Sequence, residues 1–352
     1  MNSWRDNVRK VEPYTPGEQP KEEGVIKLNT NENPYPPAPH VKEVLESIRT
    51  EDFRKYPDPA ATKLVEAIAS YHGFDKEEVF VGVGSDDVLA VAFMTFFNGK
   101  KPIFFPDITY SFYPVWAELF GIPYEKKAVN DAFEIQKEDY YAENGGVVFP
   151  NPNAPTGAFL SLEVVEDIIQ HNQDVVVIID EAYIDFGGDT AKELTRKYDN
   201  VLVVQTYSKS RSLAGLRIGY AIGNKELIKA MNDVKYSYNS YTMNEPSIVL
   251  GTAVLEDEEY FQETRNKIID TREWFQIEMR KIGFSFADSK ANFIFATHES
   301  VPAKEIFEAA KKAKIYVRYF DQPRIDNYLR ITIGTRKEME TLLDFLKEFT
   351  AQ

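Results

Sequence analysis

The stretch VVVIIDEAYIDFGGDTAKELTRKYDNVLVVQTYSK, residues 175–209, holds two apolar runs, and polar residues follow each run directly. The runs VVVIID and VLVVQT are short, continuous and rich in β-branched residues, which is typical of strands buried on both faces of a sheet. Two such runs in succession predict neighbouring strands near the centre of a parallel sheet.

The same kind of run occurs upstream, with helical segments between the runs. PIFFP (102–106) and GVVFP (146–150) are strand-like, whereas KLVEAIASYH (63–72) and DDVLAVAFMTFF (86–97) repeat apolar residues at helical spacing. Continuous apolar strands separated by helices indicate an α/β fold whose mainly parallel central sheet is covered by helices on both faces. The pattern holds to about Gly223.

A second, smaller α/β unit is predicted after this sheet. A charged helical region covers 225–282 with an interruption near 239–246, and ANFIFAT (291–297), IYVRYF (315–320) and YLRITIG (328–334) follow as strands with helices between and after them. We therefore expect three parts: a proline-rich N-terminal arm without helix or strand (1–37), a large domain (38–245) and a small C-terminal domain (246–352).

Composition excludes several classes of protein. Lys and Arg number 41 against 56 Asp and Glu, a net charge of −15, so neither nucleic acid nor a membrane is an expected partner. There is no cysteine, and the four histidines are far apart in sequence, so we expect no metal site. The first residues, MNSWRDNVRK, lack the apolar core of a signal peptide, which predicts a cytoplasmic protein.

The polar residues that follow the strands are the candidates for chemistry, because open parallel sheets bind ligands beyond the carboxyl ends of their strands. Asp180 ends one run, and Lys209 follows the next by three residues. A lysine can form an imine with pyridoxal phosphate, and a buried carboxylate can keep the ring nitrogen of that cofactor protonated. Tyr183, close to Asp180, could donate a hydrogen bond to the ring oxygen.

The segment GVGSDD (82–87) is predicted to supply a phosphate site at a helix start. It resembles the opening of a dinucleotide-binding loop, but Asp87 stands where a third glycine belongs, so a monophosphate is the better fit. With Ser208 and Arg217 this segment would bind the cofactor phosphate.

These motifs form an ordered series. The sequence is similar to the histidinol-phosphate aminotransferases, members of the fold-type-I pyridoxal-phosphate transferases, from about Tyr14 to Arg336. The resemblance rests on LNTNENPYPP, RKYPDP, GVGSDD, NPNAPTG, DEAYIDF, YSKSRSLAGLRIGY, ANFIF and LRITIGTR.

The resemblance implies a role for each matching residue. Lys209, Asp180 and Tyr183 would be catalytic. The cofactor site would comprise those three with Ser85, Asp86, Tyr110, Asn153, Thr206, Ser208, Arg217 and, from the partner of a homodimer, Tyr56. The substrate phosphate would lie against Tyr14, Arg318 and Arg330. Ala154 departs from the family's NPNNPTG, so Tyr183 alone, or a shifted Asn153, would serve the ring oxygen.

The predicted reaction is transamination between histidinol phosphate and 2-oxoglutarate, in histidine biosynthesis. Two other enzymes on the same scaffold remain alternatives: an aromatic amino-acid aminotransferase and a threonine-phosphate decarboxylase. A protein that keeps the fold for binding or regulation without turnover is a third.

Overall fold

A computed structural model describes residues 3–351. The strands are β1 (Ile26–Lys27), β2 (Val79–Gly82), β3 (Ile103–Pro106), β4 (Tyr124–Lys127), β5 (Gly146–Pro150), β6 (Val177–Asp180), β7 (Val201–Thr206), β8 (Gly219–Gly223), β9 (Phe284–Phe286), β10 (Phe293–His298), β11 (Ile315–Tyr316), β12 (Arg318–Tyr319) and β13 (Leu329–Thr332).

The α-helices are α1 (Pro39–Ser47), α2 (Thr62–His72), α3 (Ser85–Phe96), α4 (Phe112–Phe120), α5 (Leu162–Gln170), α6 (Lys225–Tyr238), α7 (Glu245–Ala253), α8 (Glu258–Lys281), α9 (Ala303–Lys312) and α10 (Arg336–Thr350). Short 3-10 helices lie between several of them. In the span 3–351, no helix combines the length and the apolar character needed to cross a membrane.

Seven strands form the large sheet, in the order β2-β8-β7-β6-β5-β3-β4. All run parallel except β8, which is antiparallel to both β2 and β7. The reversal of β8 has a consequence for the site: its first residue, Gly219, pairs with Thr206 at the end of β7 and with Gly82 at the end of β2. The residues just before β8 therefore lie at the same edge as the carboxyl ends of β6 and β7.

The core of the large sheet follows the alternation of its strands. Leu202 and Val204 of β7 pack on one face with helices α3 and α4, and Val201 and Val203 pack on the other face with α5. Every residue of β7 is buried, as expected for a strand covered on both sides. The predicted α/β class, with a mainly parallel sheet between helices, is confirmed.

The smaller sheet contains β12-β13-β10-β9 and is antiparallel throughout. Helices α8, α9 and α10 contribute Phe275, Ile306 and Leu342 to the core beneath it. The predicted helical region 225–282 is divided into α6, α7 and α8, and the first break falls within the interruption near 239–246.

Two local predictions were wrong. The arm contains a 3-10 helix (Trp4–Asn7) and the two-residue strand β1, which pairs in parallel with β11. The run IYVRYF is not one strand, because β11 pairs with β1 while β12 pairs with β13. The β1–β11 pairing lies behind the missed strand and the division of IYVRYF, because it joins segments far apart in sequence and a local apolar pattern carries no information about it.

Candidate active site

A cavity of about 110 Å³ opens at the carboxyl ends of β6 and β7, where the sheet topology predicts a ligand site. Its wall gathers residues from six separate segments of the chain. The lining consists of Ser85, Asp86, Tyr110, Pro150, Ala154, Asp180, Ala182, Tyr183, Thr206, Ser208, Lys209 and Arg217.

Asp180, the last residue of β6, is a buried carboxylate with two donors. The Tyr113 hydroxyl donates to Oδ2 at 2.9 Å, and the Ala182 backbone N–H donates to Oδ1 at 3.2 Å. Burial raises the pKa of Asp180 to about 6, while the two hydrogen bonds act in the opposite direction. The arrangement suits a carboxylate that is completed by a cationic N–H group from a ligand.

Tyr113 was missed by sequence reasoning. It lies one helical turn after Tyr110 in YSFY, at the start of α4, and it is fully buried. A buried tyrosine at helical spacing reads as core packing, and only the fold shows that its hydroxyl meets Asp180.

Lys209 lies three residues beyond β7, in a loop that hydrogen bonds connect to Thr30 and Asn33. Its Nζ donates to the backbone oxygen of Thr30 at 3.2 Å, and the Asn33 side-chain amide donates to the backbone oxygens of Lys209 and Ser210, each at 3.1 Å. Burial, with a smaller contribution from the positive charge of Arg330, lowers the pKa of Lys209 to about 8. A substantial fraction of this amine is therefore neutral, and nucleophilic, near physiological pH.

Tyr183 follows β6 at the start of a 3-10 helix (Ile184–Phe186). Its hydroxyl oxygen accepts a hydrogen bond from the side-chain amide of Asn31 at 2.9 Å, and its ring packs edge-on against Phe293, with centroids 5.0 Å apart. Burial raises the pKa of Tyr183, so the phenol keeps its proton and can donate it.

Another part of the cavity wall is formed by the start of α3 and by the segment before β8. Arg217 has a left-handed backbone (φ 53°), and its Nη1 donates to Ser208 Oγ at 3.2 Å. Close packing here requires glycine: a Cβ on Gly84, whose φ is +84°, would lie 2.4 Å from Arg217 Nη2. The first amides of α3 have no intrahelical partner and lie beside this arginine, which is a typical anion site.

Asp86 contributes its carboxylate to this part of the wall. Its carboxylate accepts from Arg217 Nη2 at 3.2 Å and from the Tyr110 hydroxyl at 2.6 Å. This places Tyr110 across the mouth of the cavity and holds the arginine near Ser208. Thr206 supports the same wall, because its hydroxyl accepts from the Ser208 N–H at 3.1 Å.

A second cavity, of about 380 Å³, adjoins the first and shares Tyr110 with it. Tyr14 and Arg318 line it, and the Tyr14 ring stacks on Phe112 at 4.3 Å between centroids. Arg318 and Arg330 are direct cross-strand partners in the β12–β13 pair.

Two like charges in direct register destabilise a sheet unless something between them compensates. Arg330 Nη2 donates to the Asn29 backbone oxygen at 3.0 Å, and within residues 3–351 its buried Nε has no hydrogen-bond partner. The pair therefore has donor capacity to spare for an anion.

Two residues that were predicted to bind the cofactor, Asn153 and Tyr56, do not line the first cavity. The Asn153 amide donates to the Ile108 backbone oxygen at 2.9 Å and to the Thr156 hydroxyl at 3.0 Å, so the NPNAPTG turn uses it. Asn153 is therefore not part of the wall of the first cavity, whereas Ala154 is. Tyr56 is 82 % exposed on this chain, with its ring against Tyr241 at 4.7 Å between centroids.

Comparison with known proteins gives consistent matches over nearly the full length. The chain matches the class I and II aminotransferase family over residues 23–346. It is 50 % identical over 347 residues to the histidinol-phosphate aminotransferase of Lactococcus lactis subsp. cremoris, covering 99 % of this chain and 98 % of that one. The Clostridium acetobutylicum protein of the same name is 51 % identical over 348 residues, covering 99 % of each chain.

The fold has close counterparts among solved structures. The crystal structure of histidinol-phosphate aminotransferase from Sinorhizobium meliloti in complex with pyridoxal-5'-phosphate matches with a TM-score of 0.85 at 22 % identity, over 93 % of this chain and 91 % of that one.

Proposed function

The chain belongs to the class I and II aminotransferase family, as its motifs predict, and from this premise we propose that it transfers the amino group of histidinol phosphate to 2-oxoglutarate. The products are imidazole acetol phosphate and glutamate, and the reaction belongs to histidine biosynthesis in the cytoplasm. The observation that carries the proposal is the in-register pair Arg318 and Arg330, because Arg318 lines the cavity that adjoins the one with Lys209 and Asp180.

The residues of the first cavity fit pyridoxal phosphate by their chemistry. Lys209 offers an amine whose pKa is lowered to about 8, for the aldehyde, and Asp180 offers a buried carboxylate for the ring nitrogen. Arg217, Ser208 and the start of α3 offer donors for the phosphate, in a space that a Cβ on Gly84 would fill. The donor set contains one group for each polar end of the cofactor.

When bound, the cofactor supplies an electron sink for the electrons released from the substrate α-carbon. The chain supplies the proton transfer, since the Lys209 amine is the base that can remove the α-proton and return it to the other carbon. Asp180 stabilises positive charge at the ring nitrogen, and the Tyr113 hydrogen bond keeps that carboxylate ionised despite its burial.

Tyr183 directs its proton to the ring oxygen, because its own oxygen already accepts from Asn31. Arg217, Ser85, Thr206 and Ser208 would hold the phosphate, and Tyr110, which lines both cavities, would lie against the ring. These contacts fix the orientation of the reacting carbon relative to Lys209, which contributes to the rate through proximity.

The substrate phosphate is assigned to Arg318 and Arg330, with Tyr14 closing from the arm. A dianion between two opposed guanidinium groups relieves their repulsion and satisfies the buried Nε of Arg330. The planar guanidinium groups of the same arginines can donate hydrogen bonds to the carboxylates of glutamate in the second half-reaction. This geometry supports a shared site for both substrates.

The proposal includes a homodimer in which Tyr56 reaches the cofactor phosphate of the partner subunit. Its 82 % exposure on one chain supports this role, since a tyrosine left so open by its own fold has a hydroxyl available to a neighbour.

A half-reaction screen tests the function. The cofactor-loaded protein is mixed separately with histidinol phosphate, histidinol, phosphothreonine, phenylalanine and glutamate, and the loss of its visible absorption band is recorded. We expect histidinol phosphate and glutamate to react fastest. If histidinol or phenylalanine reacts equally well, the protein is an aromatic aminotransferase. Release of carbon dioxide from phosphothreonine would favour a decarboxylase, and the absence of a reaction with any amine would favour a non-catalytic protein.

A further inference from the structure

The environment of Tyr183 contains an amide that no sequence motif assigned to the site. Asn31 is 1 % exposed and adopts a left-handed backbone with φ 57°. Its Nδ2 lies 2.9 Å from the Tyr183 hydroxyl oxygen, across 152 residues of sequence. Asn31 belongs to the segment that also supplies Thr30 and Asn33 to the lysine loop.

The orientation of this amide is fixed by its other contacts. The backbone N–H of Asn31 donates to Thr332 Oγ1 at 3.0 Å, and that hydroxyl donates its own proton to Asn31 Oδ1, also at 3.0 Å. The Asn292 amide donates to the Asn31 backbone oxygen at 3.0 Å. With Oδ1 committed to Thr332, only the NH2 group can face Tyr183.

This direction decides what Tyr183 can do. Because its oxygen accepts from Asn31, its own proton is free to point into the cavity. Hydrogen bonds in a chain polarise one another, so an amide donating to a phenol makes that phenol a stronger donor. Ala154 lines the same cavity and has no polar side chain to share the task.

We propose that Asn31 is a positioning residue for the reaction: it orients and strengthens the Tyr183 hydroxyl as the donor to the cofactor ring oxygen, and Thr332 of β13 sets the direction of its amide. The inference rests on the proposed function, since it requires the cofactor. Asn31 acts through Tyr183 without touching the reacting atoms.

The test is a pH titration of the visible absorption band of the cofactor-loaded protein. Asn31→Gly keeps the left-handed backbone accessible and removes the amide, and Asn31→Asp keeps the shape and replaces the donor by an acceptor. We expect Asn31→Gly to move the midpoint upward by about half a pH unit, less than Tyr183→Phe does, because one neutral hydrogen bond is weakened and not removed. Thr332→Val should move it in the same direction by less.

Combining the variants separates positioning from a general structural effect. In a Tyr183→Phe background, Asn31→Gly should leave the midpoint where Tyr183→Phe alone puts it, since the hydroxyl through which Asn31 acts is gone. Asn172→Gly is the matched control, because Asn172 is a buried asparagine that donates to the Tyr140 and Ile168 backbone oxygens away from the cavity. It should lower thermal stability and leave the midpoint unchanged.

The outcomes are distinct for the two proposals. An unchanged midpoint in both Asn31 variants, with a shift in Tyr183→Phe, overturns the role of Asn31 and leaves the proposed function intact. Equal shifts from Asn31→Gly in the wild-type and Tyr183→Phe backgrounds also overturn it. Failure of the wild-type protein to acquire a visible band with pyridoxal phosphate overturns the proposed function and this inference with it.

Discussion

The nucleophilic character of Lys209 comes from its surroundings and not from its residue type. A solvated lysine has a pKa of about 10.4 and is almost fully protonated at neutral pH. Burial beside the positive charge of Arg330 lowers the pKa of Lys209 to about 8. The hydrogen bond from Nζ to the Thr30 backbone oxygen then holds the amine at the mouth of the cavity.

We predict that the rate at which the cofactor-free protein takes up pyridoxal phosphate rises with pH and levels off above about 8, because only the neutral amine attacks the aldehyde. Stopped-flow absorbance at constant ionic strength measures this rate. After borohydride reduction, peptide mapping should find the pyridoxal label on Lys209. The Lys209→Ala variant should fold and carry no label. A rate that continues to rise through pH 10 would mean that the pKa of this lysine is not lowered.

At the scale of secondary-structure elements, we propose that the β12–β13 pair loses some folding stability because its two arginines are placed to bind an anion. Arg318 and Arg330 are direct cross-strand partners, and like charges so placed destabilise a sheet by about 0.2–1 kcal/mol. Burial lowers the pKa of Arg330, and the neighbouring positive charge of Arg318 lowers it further. The charge interaction with Tyr183 acts in the opposite direction. A bound dianion would reverse the sign of the interaction.

We therefore predict opposite effects of Arg318→Gln with and without an anion. Without phosphate the variant should melt at a slightly higher temperature than wild type, and added inorganic phosphate should stabilise it less than wild type. Differential scanning calorimetry of the cofactor-loaded protein measures both, with Lys304→Gln on the exposed side of α9 as control. A lower melting temperature together with a full phosphate response would contradict the assignment.

The ends of β6 and β7 are joined by a second buried acid. Glu181 is 1 % exposed, and its carboxylate accepts from the Thr190 hydroxyl at 2.6 Å, the Ala191 N–H at 2.6 Å and the Gln205 amide at 2.7 Å. Burial raises the pKa of Glu181 to about 7, and the three donors oppose that shift. The residue links both strands to the 3-10 helix Ala191–Arg196.

The raised pKa of Glu181 gives a pH dependence with a definite sign. The folded protein binds the Glu181 proton more tightly than the unfolded chain does, so protonation of Glu181 stabilises the fold. This contribution to the free energy of unfolding is fully present below about pH 4.5 and is lost as the pH rises to about 7. We predict that the free energy of unfolding of wild type, minus that of Glu181→Gln, falls by about 3 kcal/mol across this range. Urea unfolding at several pH values tests it, with the exposed Glu308→Gln as control. A difference that is constant with pH would exclude the raised pKa.

At the scale of the whole molecule, several large aromatic residues are exposed around Tyr56 and Tyr241. The tilted rings of Tyr56 and Tyr241 are in contact and are 82 % and 46 % exposed, and Phe53 and Tyr238, at 52 % and 71 %, are near them in sequence. Apolar surface left open in this way favours burial against another protein. This supports the proposed homodimer.

Mixed dimers test whether Tyr56 acts across that interface. A subunit carrying Lys209→Ala and one carrying Tyr56→Ala are each expected to be impaired alone, but their heterodimer contains one site with both wild-type residues. We predict that co-refolded mixtures regain activity toward up to about one quarter of wild type, since half of the dimers are mixed and each has one intact site. Separately refolded and then mixed subunits are the control. No recovery despite heterodimer formation would place Tyr56 in its own subunit's site.

The amino-acid sequence alone predicts the central strands of the large sheet and the polar residues at their ends. The continuous apolar runs predict β5, β6 and β7 because a strand covered on both faces must be apolar at every position. Asp180 and Lys209 stand out because polar residues follow those runs directly, and the carboxyl ends of parallel strands share one edge of the sheet.

Only the tertiary structure decided which groups meet at that edge. The partners Tyr113 and Asp180 are 67 residues apart, and Asn31 and Thr332 are 301 residues apart. The same holds for the reversed direction of β8 and for the pairing of β1 with β11. Local periodicity records which residues are buried, whereas a hydrogen-bond partner is set by the packing of distant segments, to which the local pattern is insensitive.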